Sequence, residues 1–262
     1  MAIDTRPVFI ADTCIGGLSV VRSMWKSGSA GEVVFLADYA VNPLGVKSDS
    51  AIAGVVDSWL RAAAAKSDTL VIACNTLSIR YRQLTDCKAP ITGLTHIVSM
   101  VDCFEALVKT EAHRMVNRKV LIIGTEFTAA QRVYPDILGS ALPSTRIRTI
   151  GATDLERKIA RLQLDKNAGD SLLGVELSRA LGETDVAVLA CTCFPMVQAR
   201  LEALFPEVIF LDPASYCSGL LKQDEINCNR KLTLRVTGDV VSEHRVIEFA
   251  KTYLGSDSVV LL

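Results

Sequence analysis

The sequence of 262 residues lacks an excess of either charge, because 28 lysines and arginines stand against 29 aspartates and glutamates. Without a basic field or an acidic tail, nucleic-acid binding is disfavoured and small-molecule chemistry is favoured. No apolar stretch is long enough to span a membrane, and residues 1–8 lack the apolar core of a signal peptide. We therefore expect a cytoplasmic protein with no membrane partner.

Patterns typical of metal and nucleotide sites are also missing. The chain contains eight cysteines but no C-x-x-C spacing, and its three histidines are scattered, which disfavours a metal site. Neither G-x-G-x-x-G nor G-x-x-x-x-G-K-[ST] occurs, so we expect no phosphate-binding loop and no cofactor. The cysteines are too sparse for a disulfide scaffold. Four of them have no motif around them and are interpreted as packing or surface residues: Cys87, Cys103, Cys217 and Cys228.

Short apolar runs alternate with helical segments along the chain. The strand-like runs are Val8–Ala11, Val33–Leu36, Thr69–Ala73, Ile91–Leu94, Val120–Gly124, Arg146–Ile150, Val186–Ala190 and Val208–Leu211. Runs of this kind between helices are typical of parallel strands that are buried on both faces. The sequence predicts two α/β domains with mainly parallel sheets, the first formed by residues 1–98 and 212–262 and the second by residues 99–211.

Two segments of the chain look like copies of one another. Residues 68–76 read D-T-L-V-I-A-C-N-T, and residues 185–193 read D-V-A-V-L-A-C-T-C, at an offset of 117 residues. The repeat predicts pseudosymmetric domains, in which Cys74 and Cys191 follow equivalent strands. Since open α/β sheets bind ligands at the carboxyl ends of their strands, we expect the active site in the cleft between the domains. Two thiols on opposite sides of a small ligand suit a reaction in which one face loses a proton and the other gains one.

Other polar residues and turns also follow predicted strands. Asp12 opens a turn with two glycines, where free backbone N–H groups can bind a small carboxylate. The hydroxyls of Thr125 and Thr128 follow another strand, although Thr128 could instead cap a helix. Amide and hydroxyl groups beside the cysteines can hydrogen-bond a ligand carboxylate. The candidate contacts from position alone are Asn75, Thr76, Thr125, Thr128 and Thr192, whereas the Pro and Gly turn after Asp38 favours a structural interpretation of that loop.

Taken together, these segments resemble the glutamate racemase family within the aspartate/glutamate racemase superfamily. The family motifs D-S-G-x-G-G, G-D-x-x-x-x-P-Y-G-x-K-S, A-C-N-T, G-T-x-x-T and G-C-T-H-F-P correspond to residues 12–17, 37–48, 73–76, 124–128 and 190–195. Five short motifs in the same order make the resemblance specific, and it extends over nearly the whole chain.

The resemblance implies a cofactor-independent isomerase that racemises glutamate or a related acidic amino acid. It also implies a role in the synthesis of cell-wall peptidoglycan. It implies that Cys74 works on the D-enantiomer and Cys191 on the L-enantiomer, with Asp12 assisting Cys74. It assigns the α-carboxylate and ammonium to four residues: Asn75, Thr76, Thr128 and Thr192. It further implies substrate contacts at Asp38 and in the turn formed by Pro43, Leu44 and Gly45, where the backbone together with Thr13 would receive the substrate side chain. A homodimer is left open.

The chain departs from these motifs at several positions. Cys193 replaces the histidine of G-C-T-H, which puts the acid–base partner of Cys191 in question, and we keep Cys193 as a catalytic candidate. Thr13 and Cys14 replace serine and glycine, and Leu44 replaces tyrosine. An acid on a helix of the second domain, Asp154 or Glu156, is a further candidate. Two alternatives stay open: a superfamily isomerase acting on a small diacid, and an inactive homologue that binds an amino acid or a protein.

Overall fold

The computed structural model describes residues 6–44, 47–84, 93–164, 172–221 and 230–262. Strands in these residues form two sheets in which every neighbouring pair is parallel. The strands are β1 Val8–Asp12, β2 Glu32–Asp38, β3 Thr69–Ile72, β4 His96–Ser99, β5 Lys119–Gly124, β6 Arg146–Gly151, β7 Val186–Leu189, β8 Ile209–Leu211, β9 Lys231–Thr237 and β10 Val259–Leu261.

The order of the strands shows the internal duplication. The first sheet has the order β10-β9-β2-β1-β3-β4 and the second has the order β6-β5-β7-β8. Four strands of the first sheet, β2-β1-β3-β4, therefore repeat as the whole of the second. The chain is a two-domain, pseudosymmetric α/β protein, as predicted. Strands β9 and β10 come from the end of the chain and extend the first sheet, while the predicted domain boundaries stay a prediction.

Helices connect the strands, and several begin at a capping side chain. Ser48 accepts a hydrogen bond from the backbone N–H of Ala51 at the start of the helix Asp49–Ala64, and Ser99 with Asp102 forms a capping box on the helix Met100–Met115. The helices are α1 Leu18–Ser27, α2 Asp49–Ala64, α3 Asn75–Leu84, α4 Met100–Met115, α5 Glu126–Ala130, α6 Val133–Ala141, α7 Thr153–Ala160, α8 Val175–Gly182, α9 Gln198–Leu204 and α10 Glu243–Leu254.

Apolar side chains cover both faces of the first sheet. On β1, Phe9 and Ala11 belong to one cluster and Ile10 to another, as the alternation of a strand requires. The cluster around Ile10 continues into the second sheet at Leu121 and Leu189, so the two domains share part of a hydrophobic core. None of the helices in the described ranges is long and apolar enough to cross a bilayer.

The predicted strand Ile91–Leu94 was wrong in position. Residues 91 and 92 lie outside the described residues, Gly93–Thr95 is not a strand, and β4 begins at His96. Gly93 has a φ of +100°, a conformation outside the extended range of a strand. The offset that relates Cys74 to Cys191 therefore fails to relate β4 to β8, since the first copy contains extra residues before its fourth strand.

Candidate active site

Cys74 and Cys191 follow equivalent strands of the two sheets. Cys74 comes after β3 and directly before α3, while Cys191 comes after β7 and before the 3₁₀ turn Phe194–Val197. Each of these strands pairs with the first strand of its own domain, β1 or β5. Both thiols are free, and the residues are only 7% and 8% exposed. The structure thus presents two nearly buried thiols at matching strand ends.

A chain of hydrogen bonds connects the regions around the two cysteines. The Thr13 hydroxyl donates to Cys74 Sγ at 3.7 Å, and the backbone N–H of Thr13 donates to Asp12 Oδ1 at 2.7 Å. The other carboxylate oxygen of Asp12 accepts a bond of 2.8 Å from the hydroxyl of Thr192, the residue after Cys191. Asp12, at the end of β1, is therefore the link between a strand end of one domain and a strand end of the other.

Burial changes the acidity of this linked group. Burial raises the pKa of the Asp12 carboxyl to about 6, although hydrogen bonds from Thr192, Thr13 and Gly17 lower it. Burial and the charge of Asp12 raise the pKa of the Cys74 thiol well above its ordinary value. Cys74 is therefore a thiol at rest, next to a carboxylate that titrates close to neutral pH.

The predicted ligand contacts from the two domains also meet. The hydroxyl oxygens of Thr76 and Thr128 lie 3.4 Å apart, and the Thr125 hydroxyl donates to Thr128 Oγ1 at 3.1 Å. Thr125, not Thr128, is the N-cap of α5 and accepts the backbone N–H of Thr128. The Thr128 side chain is consequently free of the capping role considered for it, and only 2% of the residue is exposed.

Asn75 is held by Tyr134, a residue that no sequence motif singles out. The hydroxyl of Tyr134, on α6 of the second sheet's domain, donates to Asn75 Oδ1 at 2.6 Å. The Tyr134 ring is buried and lies 4.5 Å from the ring of Phe104, measured between centroids. Because the amide oxygen already accepts a hydrogen bond from Tyr134, the amide NH₂ group is the part left to donate to a ligand.

Cys193 contacts a second cysteine besides Cys191, the partner that its motif suggests. Its sulfur lies 3.4 Å from the sulfur of Cys14, and its thiol also interacts with that of Cys191. Hydrogen bonds with Cys14 and Cys191, together with burial, raise the pKa of Cys193 well above its ordinary value. The two positions at which the chain departs most from the motifs, Cys14 and Cys193, are thus in direct contact.

The structure separates the two candidate acids of α7. Asp154 forms an exposed ion pair of 2.9 Å with Arg157, and 88% of its side chain is accessible. Glu156 instead reaches the Cys14–Cys193 pair, and burial followed by the charge of Asp12 raises its pKa to about 7. A position two residues further along a helix points to a different side, so only the folded chain distinguishes them.

The predicted ligand contacts in and before the loop after β2 differ in burial and in hydrogen bonding. Leu44 is buried in the apolar cluster that contains Cys74, Pro43 is exposed and Gly45 lies outside the described residues. The Asp38 carboxylate accepts hydrogen bonds from Trp59 Nε1, at 2.7 Å, and from the Thr237 hydroxyl. Asp38 therefore ties β2 to α2 and β9, and its contact with a ligand stays a prediction.

This geometry can be compared with known proteins. The model of the Asp/Glu/Hydantoin racemase family matches residues 38–216. A glutamate racemase of Streptococcus equi subsp. equi is 23% identical over 264 residues, which cover 98% of this chain and 92% of the relative. The solved glutamate racemase of Campylobacter jejuni has a TM-score of 0.74 and 22% identity, over 95% of this chain and 98% of that chain. The Escherichia coli glutamate racemase, solved with L-glutamate and the activator UDP-MurNAc-ala, has a TM-score of 0.73 and 20% identity, over 98% of this chain and 97% of that chain.

A duplicated α/β fold with one thiol at the matching strand end of each half defines a class of isomerases. The family model covers well over half of the chain. The chain belongs to the Asp/Glu/Hydantoin racemase family, which confirms the relationship that the motifs predicted. The solved glutamate racemases share its fold.

Proposed function

We propose that this protein is a cofactor-independent amino-acid racemase that acts on glutamate or a related acidic amino acid. The observation that carries the proposal is the link from Cys74 through Thr13 and Asp12 to Thr192, beside Cys191. It joins the strand end that carries Cys74 to the strand end that carries Cys191. The names of the relatives and the complexes of solved glutamate racemases with D-glutamate and L-glutamate support this substrate class.

In the proposed reaction, one thiolate removes the α-proton and the other thiol protonates the opposite face. The C–H electron pair moves onto the α-carbon and its carboxylate, and returns to a new C–H bond on the other side. Asp12 takes the proton of Cys74, and the Thr13 hydroxyl, which already donates to Cys74 Sγ, stabilises the resulting thiolate. Cys193 serves Cys191 in the place of the motif's histidine.

The donors around the cleft bind the substrate and stabilise the carbanion as it forms. Asn75, Thr76, Thr128 and Thr192 offer amide and hydroxyl groups to the α-carboxylate and ammonium, and such preorganised donors act most strongly where charge develops. Thr13, Leu44 and the adjoining backbone receive the side chain. Leucine gives this wall a more apolar surface than the motif's tyrosine, so we include acidic amino acids other than glutamate. A cytoplasmic location and a homodimer stay predictions.

The proposal is tested with single-enantiomer amino acids in D₂O. We expect glutamate, or another acidic amino acid, to lose its α-proton NMR signal and to yield the opposite enantiomer on chiral chromatography. The reaction should need no added metal or pyridoxal phosphate and should approach equal amounts of the two enantiomers. Exchange from a small unsaturated diacid, or isomerisation of it, with no amino acid turned over would identify the diacid isomerase instead. Binding without exchange of any substrate would identify an inactive homologue.

Racemisation should depend on the ionisation of Asp12. As the pH falls through about 6, the carboxylate becomes protonated and can no longer take the proton of Cys74. We expect kcat/KM for the D-enantiomer to fall along this limb, and Asp12→Asn to lower it by roughly 10²-fold and remove the limb. The pH profile of kcat/KM with D-substrate measures both effects.

Stability provides the control for this experiment. Burial raises the folded pKa of Asp12 from 3.8 to about 6, so the ionised form is disfavoured in the folded state. The stability that the protonated Asp12 carboxyl contributes is fully present below its unfolded pKa of 3.8. This contribution is lost as the pH rises through the folded pKa of about 6. The free energy of unfolding of Asp12→Asn relative to that of the parent, measured in urea, should therefore increase as the pH rises from 3.8 to about 6. A slow variant that is also less stable at pH 8 than at pH 4, relative to the parent, contradicts the assignment.

Tyr134→Phe should weaken substrate binding more than it slows the chemistry. Without the Tyr134 hydroxyl, the Asn75 amide loses a buried partner worth about 1–1.5 kcal/mol and is free to turn. We expect KM to rise about 10-fold while kcat changes less than about 3-fold. Tyr216→Phe is the matched control, since that hydroxyl donates to Glu111 at 2.7 Å and not to a candidate site residue. Equal effects of the two substitutions on KM would remove the positioning role of Tyr134.

A further inference from the structure

Three potential metal ligands meet beside the proposed active site. The sulfurs of Cys14 and Cys193 and a carboxylate oxygen of Glu156 all lie within 4.8 Å of one another. They come from three separate segments: the turn after β1, the turn after β7 and helix α7. Cys14 and Cys193 are 3% and 0% exposed, and Glu156 is partly buried. We propose that these three residues form a binding site for a thiophilic divalent cation such as Zn²⁺, and that its occupation inhibits the enzyme.

The donor set and its spacing suit Zn²⁺. Zinc binds thiolates at about 2.3 Å and carboxylate oxygens at about 2.0–2.2 Å, usually as a tetrahedron. Two thiolates on a tetrahedral zinc ion lie about 3.8 Å apart. The sulfurs of Cys14 and Cys193 are 3.4 Å apart, so a shift of a few tenths of an ångström opens the pair to the ion. Three protein ligands leave a fourth position for water or another group.

The two sulfur ligands belong to this chain and not to the family motifs. In the motifs, the position of Cys14 is glycine and that of Cys193 is histidine, so both sulfurs are departures from the pattern. An exchange of volume between two packing residues would account for their contact. A carboxylate oxygen of Glu156 lies within 4.8 Å of both sulfurs and adds a third ligand to the pair.

Inhibition follows from the position of Cys193, and this part of the inference rests on the proposed function. The Cys193 thiol interacts with Cys14 on one side and with Cys191 on the other. Metal coordination would displace the Cys193 proton and hold its sulfur as a thiolate. Cys193 could then no longer exchange a proton with Cys191, the thiol that works on the L-enantiomer. The ion would also lie close to Cys191. Binding of the ion itself needs no catalytic activity.

Binding is tested with Cd²⁺ as a spectroscopic substitute, without substrate. We expect one tight equivalent per chain, with thiolate-to-cadmium charge-transfer absorption in the ultraviolet, and displacement of Cd²⁺ by Zn²⁺. Cys14→Ser and Cys193→Ser should each weaken binding by more than about 100-fold, because even second-shell losses cost 10–100-fold. Glu156→Gln should weaken binding while keeping the absorption of two thiolates.

Cys103→Ser is the matched control. Cys103 and Cys217 form another pair of buried, interacting thiols, but they are not part of the three-ligand cluster. Cd²⁺ binding should be unchanged in this variant. If Cys14→Ser does not fold, Cys14→Gly, which restores the motif's residue, takes its place. Parent-like Cd²⁺ affinity in the Cys14 and Cys193 variants, or loss of the tight site in Cys103→Ser, overturns the proposal.

A separate measurement tests inhibition. Zn²⁺ should lower the rate of racemisation, a chelator should restore it, and Cys14→Ser should resist Zn²⁺ by more than about 100-fold relative to its own metal-free rate. Tight Cd²⁺ binding with no racemisation of any amino acid would refute the proposed function and leave the metal site standing. Racemisation with no tight Cd²⁺ site would refute the metal site and leave the proposed function standing. A metal-loaded enzyme that keeps its full rate would overturn the inhibitory role.

Discussion

Cys74→Ser and Cys191→Ser are each expected to lower racemisation in both directions by at least about 10²–10⁴-fold, the usual contribution of a positioned acid or base. A full turnover requires a base on one face of the α-carbon and an acid on the other. Serine retains the shape of the side chain but its hydroxyl is far less acidic than a thiol. Chiral chromatography from each pure enantiomer measures the two directions separately.

The two variants should differ in what they retain. Elimination from an analogue with a good β-leaving group needs only the removal of the α-proton, because the electron pair then expels the leaving group. Cys191→Ser keeps Cys74 and should still eliminate from the D-analogue, whereas Cys74→Ser should eliminate only from the L-analogue. Cys103→Ser alters a buried thiol that is not part of the hydrogen-bond chain through Thr13, Asp12 and Thr192, and it should racemise at the parent rate. A Cys191→Ser protein with parent activity would falsify the two-thiol mechanism.

The second large effect is expected at Gly16, in the turn after β1. A β-carbon added there would lie 2.5 Å from Thr192 Oγ1, 2.8 Å from Asp12 Oδ2 and 3.1 Å from the backbone nitrogen of Cys193. Gly16→Ala must therefore break or displace the Asp12–Thr192 hydrogen bond that joins the domains. We expect kcat/KM to fall by roughly 10²-fold, the cost of displacing catalytic groups by about 1 Å. Overpacking should also cost about 1–3 kcal/mol of stability.

Gly54→Ala separates crowding at the site from the general effect of replacing glycine. Gly54 lies within α2, and a β-carbon there would have no neighbour within 4 Å. Alanine at this position should leave the rate unchanged and stabilise the helix by about 0.5–1 kcal/mol. Both variants are compared by steady-state kinetics and by urea unfolding. Parent kinetics in Gly16→Ala would show that close approach of the Asp12 turn to Thr192 is not needed for activity.

The sequence alone determined the class of fold and the position of Cys74 and Cys191 after equivalent strands. Apolar runs between helices specify buried parallel strands, and this local pattern survives in each copy of the repeat. A residue that directly follows such a strand lies at the carboxyl edge of its sheet whatever surrounds it. For that reason Cys74, Cys191 and Asp12 could be selected from their positions along the chain. The fourth strand could not, because Gly93 and the extra residues of the first copy shift β4 to His96.

Only the tertiary structure decided how the two halves meet. Three contacts join residues that are far apart in the sequence: Cys14 with Cys193, Asp12 with Thr192, and Asn75 with Tyr134. The choice of Glu156 over Asp154 and the use of Asp38 within its own sheet depend on the same packing. Hydrophobic periodicity fixes which face of an element is buried, but not which side chain of another element it touches. The three proposed metal ligands therefore have no recognisable spacing in the sequence, because the packing of one sheet against the other brings them together.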